Sequence, residues 1–351
     1  MINAFVLVRD EEYTLATTRY MSRNAVERTV KELKELDIDE IYVVSKREIL
    51  LPGVTWIDNI SKVCKDLVEV PGRCLLVSPF YLFVDSGDYQ KLLNVKRAAA
   101  LGTSDEVLEV IALPNKYLYN YEKLKFIYFG VDKPYRLNDL KEYEKLTNDL
   151  KYHHNQKLIK KGVKFIDVNN TYISEDASVG EGSVIYPGTI IEGYCLIGKN
   201  CLIESNSYIC SSVIKDNSKV SSSRIINSYI EENNVIGYAS EIIESAMGKD
   251  CNIGAHSHFE NVHLANNCNV LFNDYLVDTN ALENVNIGVG VTTLKGGIEI
   301  GRDCVIGNGV NILGPLKIGD KCVVEAGSTI DMDVPEGHTA LARLYQVNRK
   351  I

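Results

Sequence analysis

Residues 172–209 read YISEDASVGEGSVIYPGTIIEGYCLIGKNCLIESNSYI. Every sixth residue from Ile173 is a branched aliphatic: Val179, Ile185, Ile191, Ile197, Ile203 and Ile209 follow it. The series returns in register at Ile300, Ile306, Ile312, Ile318, Val324 and Ile330. A period of six fits neither a helix nor an ordinary strand. It fits a coil of short strands in which each side takes six residues with its corner. Hexapeptide repeats of this kind predict a left-handed parallel β-helix.

A second signal lies four residues after each aliphatic. There stand Ala177, Ser183, Thr189, Cys195, Cys201 and Ser207, and later Cys304, Val310, Leu316, Cys322 and Ser328. Most are small, as a tight corner requires. Gly180, Gly198, Gly254, Gly288, Gly301, Gly307 and Gly319 directly follow an aliphatic. Their freedom of backbone angle is expected to ease the corner. Six of the nine cysteines (Cys195, Cys201, Cys251, Cys268, Cys304 and Cys322) share the corner position, and no C-x-x-C pair occurs. They read as small apolar fillers, not as disulfides or zinc ligands.

The chain has 351 residues, 45% of them hydrophobic, and a net charge of −9. That size implies more than one domain. The charge, with no large basic cluster, argues against nucleic acid as a partner. No stretch approaches the roughly 20 apolar residues that span a bilayer, so no membrane role is expected. The opening MINAFVLVRDEE lacks a charged lead and a cleavage site. The expected compartment is the cytoplasm.

Three regions follow. Residues 1–136 read as a reduced α/β domain: apolar runs at 4–8, 41–44 and 74–77 alternate with helical spacing at 24–37 and 88–98. Such alternation predicts a parallel, nucleotide-binding-type sheet. Residues 137–162 read as an amphipathic helical connector, with Leu137, Leu140, Tyr143, Leu146 and Leu150 on one face. Residues 163–351 hold the coil, of about nine turns at about 18 residues each, and a C-terminal tail. Flat coil faces favour closed association, so a homotrimer is the expected partner state.

Several stretches carry a resemblance. VKFIDVNNTYISEDASVGEGSVIYPGTIIEG, ENVNIGVGV, the looser GYASEIIESAMGKDCNIG, and PLKIGDKCVVEAGSTIDMDVPEGHTALARLYQVNRK are similar to the bacterial bifunctional N-acetylglucosamine-1-phosphate uridyltransferase/glucosamine-1-phosphate acetyltransferase family. MSRNAVERTVKELKELDIDEIYVVS resembles that family's first helix and second strand more weakly. The resemblance implies a nucleotidyltransferase-like first domain and an acyltransferase-like coil. It also implies two reactions, each of which demands particular side chains.

For uridyl transfer, the family places a glycine-rich loop with Arg and Lys after the first strand to cradle phosphates. This chain has Arg9, Asp10, Glu11 and Glu12 there. The family's Mg²⁺-binding Asp is replaced at Ser78 and Pro79, neither of which offers an anionic oxygen. No Mg²⁺ is expected.

For acetyl transfer, the resemblance sets the family's catalytic His on Phe272, which cannot take a proton. It sets the sugar-phosphate Arg and Lys on Ile242 and Glu260, and the loop after Gly290 is shortened. Other positions survive. Tyr275 and Asn286 match substrate-binding residues, while Arg343 and Ala326 match contacts of CoA. Asn286 and Ala326 are also explained as residues of coil corners. Arg343 also reads as a tail residue folded onto a neighbour.

His256, His258 and His263 lie one coil earlier, with Glu260 beside them. They read as exposed corner or interface residues, or as a metal cluster. His258 or His263 also reads as a relocated base. Two functions are therefore expected. The first is a trimeric binding or regulatory protein that has lost both reactions, linked to UDP-N-acetylglucosamine and cell-envelope sugar metabolism. The second is a CoA-dependent acyltransferase with a changed acceptor, for which acetyl-CoA is the cofactor. A sugar phosphate or an acyl-CoA is the small ligand to test.

Overall fold

The structure is a computed structural model that describes residues 1–20, 23–81, 84–102, 107–120, 123–130, 136–137 and 143–342. The chain divides into two compact units, Met1–Thr147 and Asn148–Ile351.

The first unit is built on one mixed sheet. Its elements are β1 (Ile2–Leu7), α1 (Tyr13–Thr17), the hairpin β2 (Arg19–Tyr20) and β3 (Arg23–Asn24), α2 (Ala25–Lys34), β4 (Glu40–Val44), β5 (Thr55–Ile57), α3 (Ser61–Val68), β6 (Arg73–Val77), α4 (Ser86–Leu93), β7 (Ala99–Gly102), β8 (Val107–Pro114) and β9 (Ile127–Phe129). The helix α2 starts where Asn24 and Glu27 form a reciprocal capping box. It buries Val26, Val30 and Leu33, the apolar positions of the helical spacing. Asp85 and Asp88 cap α4 in the same way.

The strand order is β5-β4-β1-β6-β8-β7-β9. The first four strands are parallel, as expected. The rest correct the all-parallel expectation, because β8 runs antiparallel to both β6 and β7. Residues 94–98 also leave the expected helix, which ends at Leu93 so that Ala99 can enter β7.

The expected connector narrows to α5 (Tyr143–Lys160). Leu137, Leu146 and Leu150 are buried, while Leu140 lies outside the described residues. The end of α5 closes the first coil. Leu158 and Val163 join the core cluster of the coil, and Asn155 Nδ2 donates to the carbonyls of Val168 at 3.1 Å and Thr171 at 3.0 Å.

The coil is a three-sided parallel β-helix. Its described strands form sheets of eleven, ten and nine members, here called the first, second and third faces. The aliphatic series points inward: Ile185, Ile203 and Val220 stack on the first face, and Ile191, Ile209 and Ile225 on the second. Successive first-face strands begin at Val184, Leu202, Lys219, Val235, Asn252, Asn269, Asn286, Val305 and Val323, so coils take 16 to 19 residues.

The glycine expectation needs a different cause. Gly180, Gly198, Gly254, Gly288, Gly301, Gly307 and Gly319 are absent from the left-handed positions of the backbone. They are required because the next coil passes too close: a Cβ on Gly180 would sit 2.6 Å from the Gly198 carbonyl carbon. The six corner cysteines are free and buried. Their thiols reach carbonyls of the following coil, as from Cys251 to Ala265 at 3.1 Å and Cys304 to Gly319 at 3.0 Å. Burial pushes the thiols of Cys195, Cys201 and Cys304 up, away from reactive thiolate.

Candidate functional site

On the second face, residues that alternate with the inward aliphatics point outward. Parallel register stacks Tyr208, Arg224, Glu241, His258 and Tyr275 into one column. The column is chemically continuous. The Arg224 guanidinium lies 5.9 Å from the Tyr208 ring centroid and pairs with Glu241. Glu241 Oε2 lies 3.1 Å from His258 Nδ1. The His258 and Tyr275 rings stack with centroids 4.9 Å apart and planes 10° apart. The Arg224 guanidinium, then His258, hold the Glu241 carboxyl below the ordinary carboxylate value.

This arrangement orients an imidazole. When Nδ1–H donates to Glu241, Nε2 keeps a lone pair and is free to accept a proton. Glu260, in the neighbouring outward column, brings Oε2 to 3.8 Å from Nε2. His258 is thus held by Glu241 at Nδ1, by the Tyr275 ring on its face and by Glu260 near Nε2.

The other expected residues are distributed around the coil. His263 is exposed on the third face, in register with Ala246 and Asn280. There it lines an open groove of about 260 Å³ with Asp278, Asn280 and Glu299. His256 sits at the corner before the second face, edge-on to Tyr238 at 5.7 Å. The three histidines therefore do not converge, and among the described residues no three His, Cys, Asp or Glu side chains could hold a metal ion.

Asn286 is not a corner residue. It lies exposed on a first-face strand above Asn269, while Asn284 takes the left-handed corner with φ 62°. Ala326 is exposed at a corner, and its backbone N would lie 2.4 Å from a Cβ on Gly307. Arg343 lies outside the described residues. Phe272 is 49% exposed at the corner before Tyr275, so this corner offers solvent a phenyl ring in place of a proton acceptor.

Ile242 corrects one expectation. It is wholly buried between Ile225 and Phe259, so an arginine at that number would be driven into the core. The outward cation of the column is Arg224, one coil below and already paired. The shortened loop after Gly290 is a tight turn in which Lys295, Gly296 and Gly297 all have positive φ, 68°, 64° and 69°.

In the first unit the strand order reverses between β1 and β6, the usual place for a ligand at the strand ends. Several charged groups near those ends are paired with each other. Arg9 meets Glu109 at 2.6 Å, Arg136 meets Glu12 at 3.2 Å, and Arg47 meets Asp10 at 3.7 Å. Glu109 is the main cause that pushes the Arg9 guanidinium up. Ser78, at the end of β6, is buried, and its hydroxyl has no hydrogen-bond partner among the described residues.

The repeat sequence has known relatives. Residues 194–222 match the model of the hexapeptide repeat of succinyl-transferase, and residues 297–331 match that of the bacterial transferase hexapeptide, six repeats. The bifunctional protein GlmU of Clostridium kluyveri is 37% identical over 196 residues, which is 54% of this chain and 43% of that one. The chain is similar to GlmU through its repeat-bearing half. GlmU of Exiguobacterium is 34% identical over 203 residues, covering 56% of this chain and 45% of its own. The match thus spans less than half the length of these relatives. Among solved structures, LpxA from Acinetobacter baumannii is similar at 21% identity and a TM-score of 0.25, over 48% of this chain and 67% of its own. Both repeat models fall within the part of the chain in which the hexads were read.

Proposed function

We propose that this GlmU relative keeps the coil but performs neither family reaction, and acts as a homotrimeric binding or regulatory protein in amino-sugar and UDP-N-acetylglucosamine metabolism. One observation carries the reading most: at both places where the family chemistry needs a free group, another group stands. In the first unit Arg9 and Arg136 are tied to Glu109 and Glu12. A triphosphate arriving there would meet arginines already engaged by Glu109, Glu12 and Asp10, and the further carboxylate of Glu11. In the coil, the corner position taken from the family resemblance holds Phe272.

The proposal predicts binding without turnover. Full-length protein titrated with UDP-sugars, hexosamine phosphates and acetyl-CoA should gain thermal stability with one of these and convert none of them. A ligand at 100-fold excess over its Kd adds about 2.7 kcal/mol, a readily measured rise in Tm. If every ligand leaves Tm unchanged, the binding role is lost.

A second reading is acyl transfer from an acyl-CoA to an altered acceptor, with His258 as base. The hydrogen bond from His258 Nδ1 to Glu241 favours it. The two readings separate on one variant: product formation that disappears in His258→Ala belongs only to the second.

A further inference from the structure

One buried column runs beside the second face, at the residue just before each strand. It holds Ser207, Ser223, Ser240 and Ser257, and then Asp274, which is 2% exposed. Two of the serines, Ser223 and Ser240, serve two partners at once. Ser223 Oγ donates to Gly237 O at 2.7 Å and accepts from Ser240 N at 3.1 Å. Ser240 Oγ donates to Gly254 O at 2.9 Å and accepts from Ser257 N at 3.2 Å.

Asp274 fills only the accepting half of that role. Its Oδ1 accepts from Val291 N at 2.7 Å, while Oδ2 is buried with no partner among the described residues. A carboxylate has no proton to give; a carboxylic acid has one. A bare carboxylate in this interior would also lack a counter-ion. The ionisable groups around it are His256, His258 and Glu260 in the coil below, and Tyr275 and Asp278 in its own coil. His258, Glu260 and Tyr275 point outward, and His256 and Asp278 are exposed at corners. The next coil, residues 286–294, has no ionisable side chain.

We propose that Asp274 stands protonated in the folded chain and donates from Oδ2 into the ladder between coils. A rise in pH through neutrality then breaks that ladder directly behind Tyr275 and loosens the face that carries His258. The proposal is independent of either functional reading. Burial pushes the Asp274 carboxyl up to about 7, against the opposing pull of the Val291 and Gly290 amides. The folded chain therefore holds a proton that the unfolded chain gives up near the ordinary carboxyl value. The associated stability is greatest in acid, falls as pH climbs from about 4 to about 7, and is gone above that.

The test uses full-length protein with Asp274→Asn, a donor at every pH, and Asp274→Ser, which restores the residue of the column. Infrared spectra at about pH 5.5 should show a carboxylic-acid carbonyl band that Asp274→Asn lacks and that fades by about pH 8.5. From about pH 5 to about pH 8.5 the Tm of the wild type should fall by about 5–10 °C relative to either variant. Identical infrared spectra for the wild type and Asp274→Asn would overturn the proposal. So would a Tm difference that stays constant with pH in both variants.

Discussion

Replacing Gly254 with alanine should destabilise the coil by about 3 kcal/mol or more, a cost set by sterics rather than by backbone preference. A Cβ at this position would fall 1.6 Å from the carbonyl oxygen of Leu271 and 2.3 Å from its carbon. Both atoms are backbone, so no rotamer change relieves the overlap. The two coils would have to separate, breaking the bond from Gly254 N to Val270 O at 2.9 Å. Gly290→Ala is the matched control. Gly290 has φ 69° and nothing within 4 Å of its added Cβ, so only the left-handed backbone is penalised, at about 1 kcal/mol. Denaturant unfolding of the two variants should give a clear gap. Equal losses would mean that the glycines after the aliphatics serve the corner angle after all.

Phe259→Ala should cost about 3–5 kcal/mol, the range for deleting a buried phenyl ring. Phe259 is wholly buried, stacked between Ile242 and Leu276 on the second face. Among the described residues it is the one fully buried aromatic side chain in the core cluster of the coil, and its strand neighbours are His258 and Glu260. Truncation leaves a cavity under the strand that presents the imidazole. Phe259→Leu, which nearly fills the space, should lose less than about 1.5 kcal/mol. The Ala variant should also disturb the His258–Tyr275 stack, visible as shifted His258 ring resonances. A loss under about 1 kcal/mol in Phe259→Ala would show that neighbouring coils collapse into the gap.

The coil was legible where its sides are regular. From Ile173 to Ile209, and again from Ile300 to Ile330, each side takes six residues and the aliphatics keep phase. Between them the step from second to third face shortens to five: Ile209 to Ile214, Ile225 to Ile230, Ile242 to Met247, Phe259 to Leu264 and Leu276 to Ala281. A count in sixes loses its phase at these steps, and again from Val220 to Ile225, although every one of these residues still points inward. The same slip hid the site. His258 is conspicuous as a histidine, but its partners Glu241 and Tyr275 lie 17 residues away on either side, a spacing with meaning only once the coil length is known. It also explains Ile242, whose inward direction cannot be told from its outward neighbours without the register. Asp274 passed unnoticed for a related reason: an aspartate near a turn is ordinary, and only the serine column makes it an anomaly.

In the first unit, α2, β1, β4 and β6 were readable from apolar runs and helical spacing. The strands β7 to β9 were not. Ala99 and Ala100 have little strand preference by themselves; they are strand because β8 and β9 pair on either side. That pairing is long-range, so no local window reports it. The ion pairs at the ends of β1 and β6 join Arg9 to Glu109 and Arg136 to Glu12, each across 100 residues or more.

The most direct test of the central claim is turnover by the purified full-length chain. Acetyl-CoA with glucosamine-1-phosphate, and Mg²⁺-UTP with N-acetylglucosamine-1-phosphate, should each react no faster with the protein than without it. Acetyl transfer above that background, lost on His258→Ala while the variant keeps its Tm, would contradict the account and establish the imidazole beside Glu241 as a working base.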